Sequence, residues 1–152
     1  MRIYDLESWR AVKIPMALLA DEANVSQEGK LNVLGVFDRI ASNAFPTVHP
    51  KMVFVFRVQA EYGDEGRQFA VRVRLMDEDG AALFEASGDI VAPPVAPGEF
   101  VTANQLFTLV GTQFPRPGSY KFIVHVDDLP PHETPLMLVQ NNWQPEPSPR
   151  DN

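Results

Sequence analysis

The chain has 152 residues, a length suited to one domain with or without tails, and no cysteine, which removes disulfides and thiolate metal sites. Thirteen Lys and Arg against 20 Asp and Glu leave a formal net charge of −7, so the overall field repels phosphate and no nucleic-acid partner is expected. Ten Phe, three Tyr and two Trp beside 14 Pro and 9 Gly suit many short strands joined by tight turns.

Residues 1–12 mix Ile3, Tyr4, Leu6, Trp9 and Val12 with charges and follow no clean period, which predicts a lead-in arm. They lack the basic start and apolar run of a signal peptide, and the run Met16 to Ala20 is far too short to cross a bilayer, so a cytoplasmic protein without a membrane partner is expected. From Ile14 to Asn24 two signals conflict. Pro15 followed by Met16, Ala17, Leu18, Leu19 and Ala20 is good helix composition, yet the segment is short and leads through Ser26–Lys30, a turn cluster, into an evident strand. A strand over about 15–21 is favoured.

Beyond it, Leu31, Val33, Gly35 and Phe37 alternate with Asn32, Leu34, Val36 and Asp38. In 51–60, Met52, Phe54, Phe56 and Val58 share one face, while the other passes from apolar (Val53, Val55) to polar (Arg57, Gln59), as where cover gives way to solvent. Residues 68–76 alternate most cleanly and end at Asp77-Glu78-Asp79-Gly80, a hairpin signal in which both Asp-Gly positions want a positive φ. The return strand runs over 82–86. The prolines of 93–98 suit a crossover between sheets, and strands follow over 105–110, 120–126 and 135–140. Pro135 is expected at the start of the last strand, where no ladder donor is needed. Residues 143–152 are proline-rich with little apolar content and predict a flexible tail. About eight strands at this spacing predict an all-β fold over 13–142, a two-layer antiparallel β-sandwich of immunoglobulin-like or jelly-roll-like type.

No catalytic constellation stands out. Asp77, Glu78 and Asp79 fit a turn better than a calcium loop, whose ligands spread over a longer segment. His125, Asp127, Asp128 and His132 form the one His/carboxylate cluster; His125 and Asp127 would share one face of an extended strand. With two histidines in reach, the solvated-loop reading is preferred and no metal or cofactor is expected. No Gly-x-Ser-x-Gly elbow or glycine-rich phosphate loop occurs, so catalytic residues are read as none.

Two surface features remain. Arg57, Arg72 and Arg74, with Lys121, fall on outward strand positions; if 51–60 pairs with 68–76 as a hairpin, Arg57 neighbours Arg72 or Arg74 in a basic stripe that could take an acidic partner or a phosphate. A solvated sheet face balanced by neighbouring acids is the preferred account. The last strand, with Leu136 and Leu138, carries no charge to blunt an edge and is a candidate seam for a second copy.

The stretches Ala17-Leu18-Leu19-Ala20-Asp21-Glu22-Ala23-Asn24 and Gly29-Lys30-Leu31-Asn32-Val33-Leu34-Gly35-Val36-Phe37-Asp38 carry a resemblance, as do Phe45-Pro46, Asp77–Gly80 and Phe114-Pro115-Arg116-Pro117-Gly118-Ser119-Tyr120. Over about 15–140 the chain resembles a widespread family of small bacterial proteins of unknown function. The resemblance implies a bacterial, β-rich domain and assigns no catalytic residue. The expected role is a non-enzymatic protein-binding or structural domain, its partner another protein or itself as a homodimer. The alternative is a small-ligand or carbohydrate-binding module on one sheet face, which Trp9 and Trp143, both outside the strands, count mildly against. A small enzyme stands third.

Overall fold

The computed structural model describes residues 12–127 and 129–141. They form nine strands: β1 (Lys13–Val25), β2 (Leu31–Val36), β3 (Arg39–Ser42), β4 (Thr47–Glu61), β5 (Gln68–Met76), β6 (Ala82–Val91), β7 (Phe100–Phe114), β8 (Gly118–Val126) and β9 (His132–Gln140). One sheet has the order β2-β1-β4-β7 and the other β3-β9-β8-β5-β6. The expected sandwich is present, with one strand more than the periodicity predicts: four-residue β3 is too short to show a period. It pairs with β9 in parallel, while every other pairing is antiparallel. Among the described residues no helix is long and apolar enough to cross a membrane.

The Pro15–Asn24 ambiguity resolves as strand. Leu19 pairs with Phe54 and Ala17 with Phe56, so tertiary pairing overrides the local helix composition. Val12, expected in the arm, is buried in the core. The rest of the arm and the proline-rich tail lie outside the described residues, as do Trp9, Trp143 and Asp128.

The core is built from the alternation read in the sequence. Met52, Phe54, Phe56 and Val58 of β4 face Phe69, Val71, Val73 and Leu75 of β5 and Tyr120, Phe122, Val124 and Val126 of β8. Phe54 and Phe122 stack across the two layers, ring centroids 4.3 Å apart. Tyr120 packs edge-on to Phe114 and donates its hydroxyl to the Arg116 carbonyl at 2.7 Å, so its one polar atom is satisfied inside the layer.

The condition for a basic stripe is not met, and the expectation for the last strand is corrected. β4 and β5 do not form a hairpin: β4 lies between β1 and β7, and β5 between β8 and β6. A strand apolar on both faces belongs in a sheet's interior, so β4 has no free edge to offer β5. The chain instead turns the corner at 61–67, where buried Asp64 accepts the Glu61 N–H at 3.1 Å. Nor is β9 an edge strand. β3 and β8 flank it, and Leu136 and Leu138 are each 1 % exposed, turned into the core. The absence of charge marks an interior strand here. Pro135 sits within β9, not at its start. The Met137 N–H donates to the Asp38 carbonyl on the β3 side, and the Pro135 nitrogen points the same way, upstream of where β3 begins to pair. No ladder donor is lost.

The hairpin expected at Asp77–Gly80 joins β5 to β6. Of its residues only Gly80 has a positive φ, because the Asp77 carboxylate organises a longer turn, accepting the Asp79 and Ala81 N–H groups at 2.9 and 2.8 Å. The 93–98 segment crosses between sheets as expected, carrying β6 of one to β7 of the other.

Candidate functional site

The outer faces of the two sheets differ in chemistry, and each follows from register. On the four-stranded sheet, Phe54 and Leu19 point inward, so their neighbours Val53, Val55, Leu18 and Ala20 point outward. Four cross-strand rows result. Met16, Arg57 and Asn104 make the first; Leu18, Val55 and Leu106 the second. Val36, Ala20, Val53 and Thr108 make the third, and Leu34, Glu22, Lys51 and Val110 the fourth. The middle rows carry no charge. Val53, Val55 and Ala20 are fully packed at their centre, while Leu34, Val36 and Val110 at the margins are 71, 62 and 76 % exposed. The flanking polar groups satisfy one another: Lys51 pairs with Glu22 at 2.6 Å, and the Arg57 Nε donates to Asn104 at 2.9 Å.

The outer face of the five-stranded sheet is polar. Arg72 and Lys121 are ion-paired to Glu85 and Glu133, at 2.7 and 3.0 Å. Arg72 and Arg74 share β5, as read from the sequence, but Arg57 lies on the other sheet, so the three form no common stripe. Leu136 and Leu138, core residues, present nothing to a partner. Among the five candidate surface residues, the structure brings together only Arg72 and Arg74.

Around that pair lies a groove of about 550 Å³, lined from β5, β6 and β8 by Ala70, Arg72, Arg74, Ser87, Asp89 and His125. Ala70 lowers its floor, since larger outward side chains stand on either side. In register, Arg74 opposes Glu85, but Arg72 holds that carboxylate from the diagonal position. Arg74 therefore turns to the other neighbour, its Nη2 3.0 Å from His125 Nε2. A guanidinium can only donate, so this nitrogen accepts and the imidazole is neutral with its proton on Nδ1. Burial, then the charges of Arg74 and Arg72, hold the His125 pKa below its usual value.

The His/carboxylate cluster does not assemble. His132 opposes inward-facing Val124, so it lies on the opposite face from His125. Asp127 has left the extended conformation, with φ 46°, and accepts the Ala70 N–H at 2.8 Å. Asp77 and Asp79, in turn, pair with Arg116. Among the described residues no group of three or more His, Asp or Glu is placed to hold a metal ion.

A model of a family of unknown function, DUF6941, matches residues 15–139. The chain belongs to that family. No curated protein matches it. The DUF6941 match runs from β1 into β9, and so takes in both outer faces and the groove. Two features of this DUF6941 domain escape the sequence reading. The apolar outer face left a trace in Leu34 and Val36, which are apolar on the phase opposite to Leu31 and Val33. The Arg74–His125 contact left none, because it joins residues 51 positions apart.

Proposed function

We propose that this domain is a non-enzymatic binding and structural module that associates with a second copy of itself through the outer face of its four-stranded sheet. The observation that carries the reading is the set of large apolar side chains that this face leaves exposed, Leu34, Val36 and Val110, at the margins of its two packed, uncharged rows. A sandwich normally turns polar residues to solvent on its outer faces, as the five-stranded sheet does; large apolar side chains left exposed at both edges of one outer face mark a contact surface. The occupant follows from charge. Glu22, Lys51 and Arg57 are satisfied within the chain, so the face asks its partner for apolar area and no counter-charge. An identical face meets that requirement under two-fold symmetry. The proposal includes the cytoplasmic setting and bacterial source expected above.

Light scattering on the full chain from about 5 to 200 μM should give twice the chain mass of 17.0 kDa. Leu34→Asp with Val110→Asp, both at exposed positions that leave the core alone, should return it to monomer with an unchanged circular dichroism spectrum. Met137→Asp, on the other sheet, should not. A wild-type monomer across that range, or a dimer indifferent to the double substitution, defeats the proposal. A second reading, a small ligand held on one sheet face, has the groove above Ala70 in its favour.

A further inference from the structure

We propose that the groove between β6, β5 and β8 is a receptor for one compact oxyanion, a carboxylate or phosphoryl group on a small molecule, held by Arg74 with Arg72 and Ser87 beside it.

Arg72 and Lys121 each hold a carboxylate in a chain where acids outnumber bases. Arg74, on the same face and half-buried, holds none among the described residues; its one polar partner is the neutral ring of His125. Its Nε is moreover buried without an acceptor. A guanidinium withdrawn from water and left without counter-charge is unfavourable, and groups so placed are stabilised by an anion that joins them. The geometry is set in advance: Glu85 pins Arg72 on one side, and His125 holds Arg74 on the other. Ser87 lies across from Arg72 in register and adds a hydroxyl to the groove wall. A planar fork beside a second guanidinium suits carboxylate and phosphoryl oxygens, which accept two parallel N–H bonds.

The other end of the groove sets the ligand's size. Asp89 opposes Ala70 there, and Asp127 follows on the β8 side. The Asp127 charge is offset by the Ala70 N–H and by Arg67 at 3.8 Å, whereas no ion pair among the described residues offsets Asp89. An extended polyanion would run into Asp89, so the site selects a small molecule with a single anionic group and rejects a nucleic-acid backbone. This inference is independent of the dimer reading, which concerns the opposite sheet, so either can fail alone.

The test is a nuclear magnetic resonance titration of the full chain at pH 7.5 with sodium phosphate and, separately, sodium acetate, against sodium chloride at matched ionic strength. Saturable shifts of the Ser87 and His125 amides are expected with at least one of the two anions, with a Kd of millimolar or tighter. Phosphate alone identifies a phosphoryl ligand, and acetate alone a carboxylate. Arg74→Gln should weaken binding at least tenfold, and Lys30→Gln in the exposed β1–β2 turn should leave it unchanged. If Arg74→Gln does not fold, Arg74→Lys keeps the charge, removes the fork and should weaken binding several-fold. Shifts that do not saturate, that chloride reproduces, or that persist in whichever Arg74 variant folds overturn the proposal.

Discussion

His125 shows how one contact on a sheet face couples to pH. Its folded pKa lies below the usual 6.5, chiefly through burial and secondarily through Arg74 and Arg72. The unfolded chain therefore takes up the proton first as pH falls. Stability rises with pH wherever the unfolded state binds more protons, so the His125 contribution is present above pH 6.5 and is lost as pH falls through 6.5 towards the folded pKa. Protonation also removes the lone pair that accepts from Arg74 and sets two cations 3.0 Å apart. His125→Gln supplies an amide oxygen to Arg74 and has nothing to titrate. Urea unfolding at pH 7.5, 6.5, 5.5 and 5.0 should show wild type losing more stability than His125→Gln over this span. Parallel pH profiles would remove His125 from the account.

At the scale of elements, two neighbouring turns at one end of the five-stranded sheet hold one another. The β5–β6 hairpin reaches the β7–β8 turn: Arg116 pairs with Asp77 and Asp79, and Glu78 accepts the Ser119 N–H. Gly118 makes this approach possible. It has a φ of 142°, and a Cβ there would meet Glu78 Oε1 at 2.6 Å. Gly29, in the β1–β2 turn, also has a positive φ, 83°, but open space around it. Replacement by alanine compares the two positions. Gly29→Ala carries the backbone strain alone, about 1 kcal/mol. Gly118→Ala carries the greater strain of a φ of 142°, which L residues scarcely adopt, and also displaces the flexible end of Glu78, for a total of about 2–3 kcal/mol. Thermal melts should place Gly118→Ala below Gly29→Ala; equal melting temperatures would mean that neither the φ of 142° nor the Glu78 contact adds a cost.

For the whole molecule, the layers are one cooperative unit because they share one core. Phe54 from the four-stranded sheet and Phe122 from the five-stranded sheet are each 0 % exposed and stack with an interplanar angle of 7°. Phe122→Ala removes this contact and leaves a cavity between layers, at about 3–5 kcal/mol, a large share of the roughly 5–15 kcal/mol that holds a domain of this class folded. The expected result is a single urea transition at lower midpoint and unchanged slope, with amides of both sheets losing hydrogen-exchange protection together. Two separated transitions would show that the sheets unfold independently.

The residues alone determined fold class, the positions of most strands and the inward set of the core. Those properties rest on local alternation, such as Met52-Phe54-Phe56-Val58 and Phe69-Val71-Val73-Leu75, and on turn chemistry at Asp77–Gly80. Tertiary structure decided which strands are neighbours. Period-2 patterning says which face a side chain takes and nothing about the strand beside it, so a β4–β5 hairpin stayed open in sequence although the two belong to different sheets. The same gap put Leu136 and Leu138 on a candidate seam. A charge-free strand fits an edge or an interior position equally well in sequence; only the pairing of β9 with β3 and β8 shows Leu136 and Leu138 as core. The groove at Arg74 and the apolar face at Leu18, Val55 and Leu106 are made by residues far apart in the chain, and register between strands is the one property that brings them together.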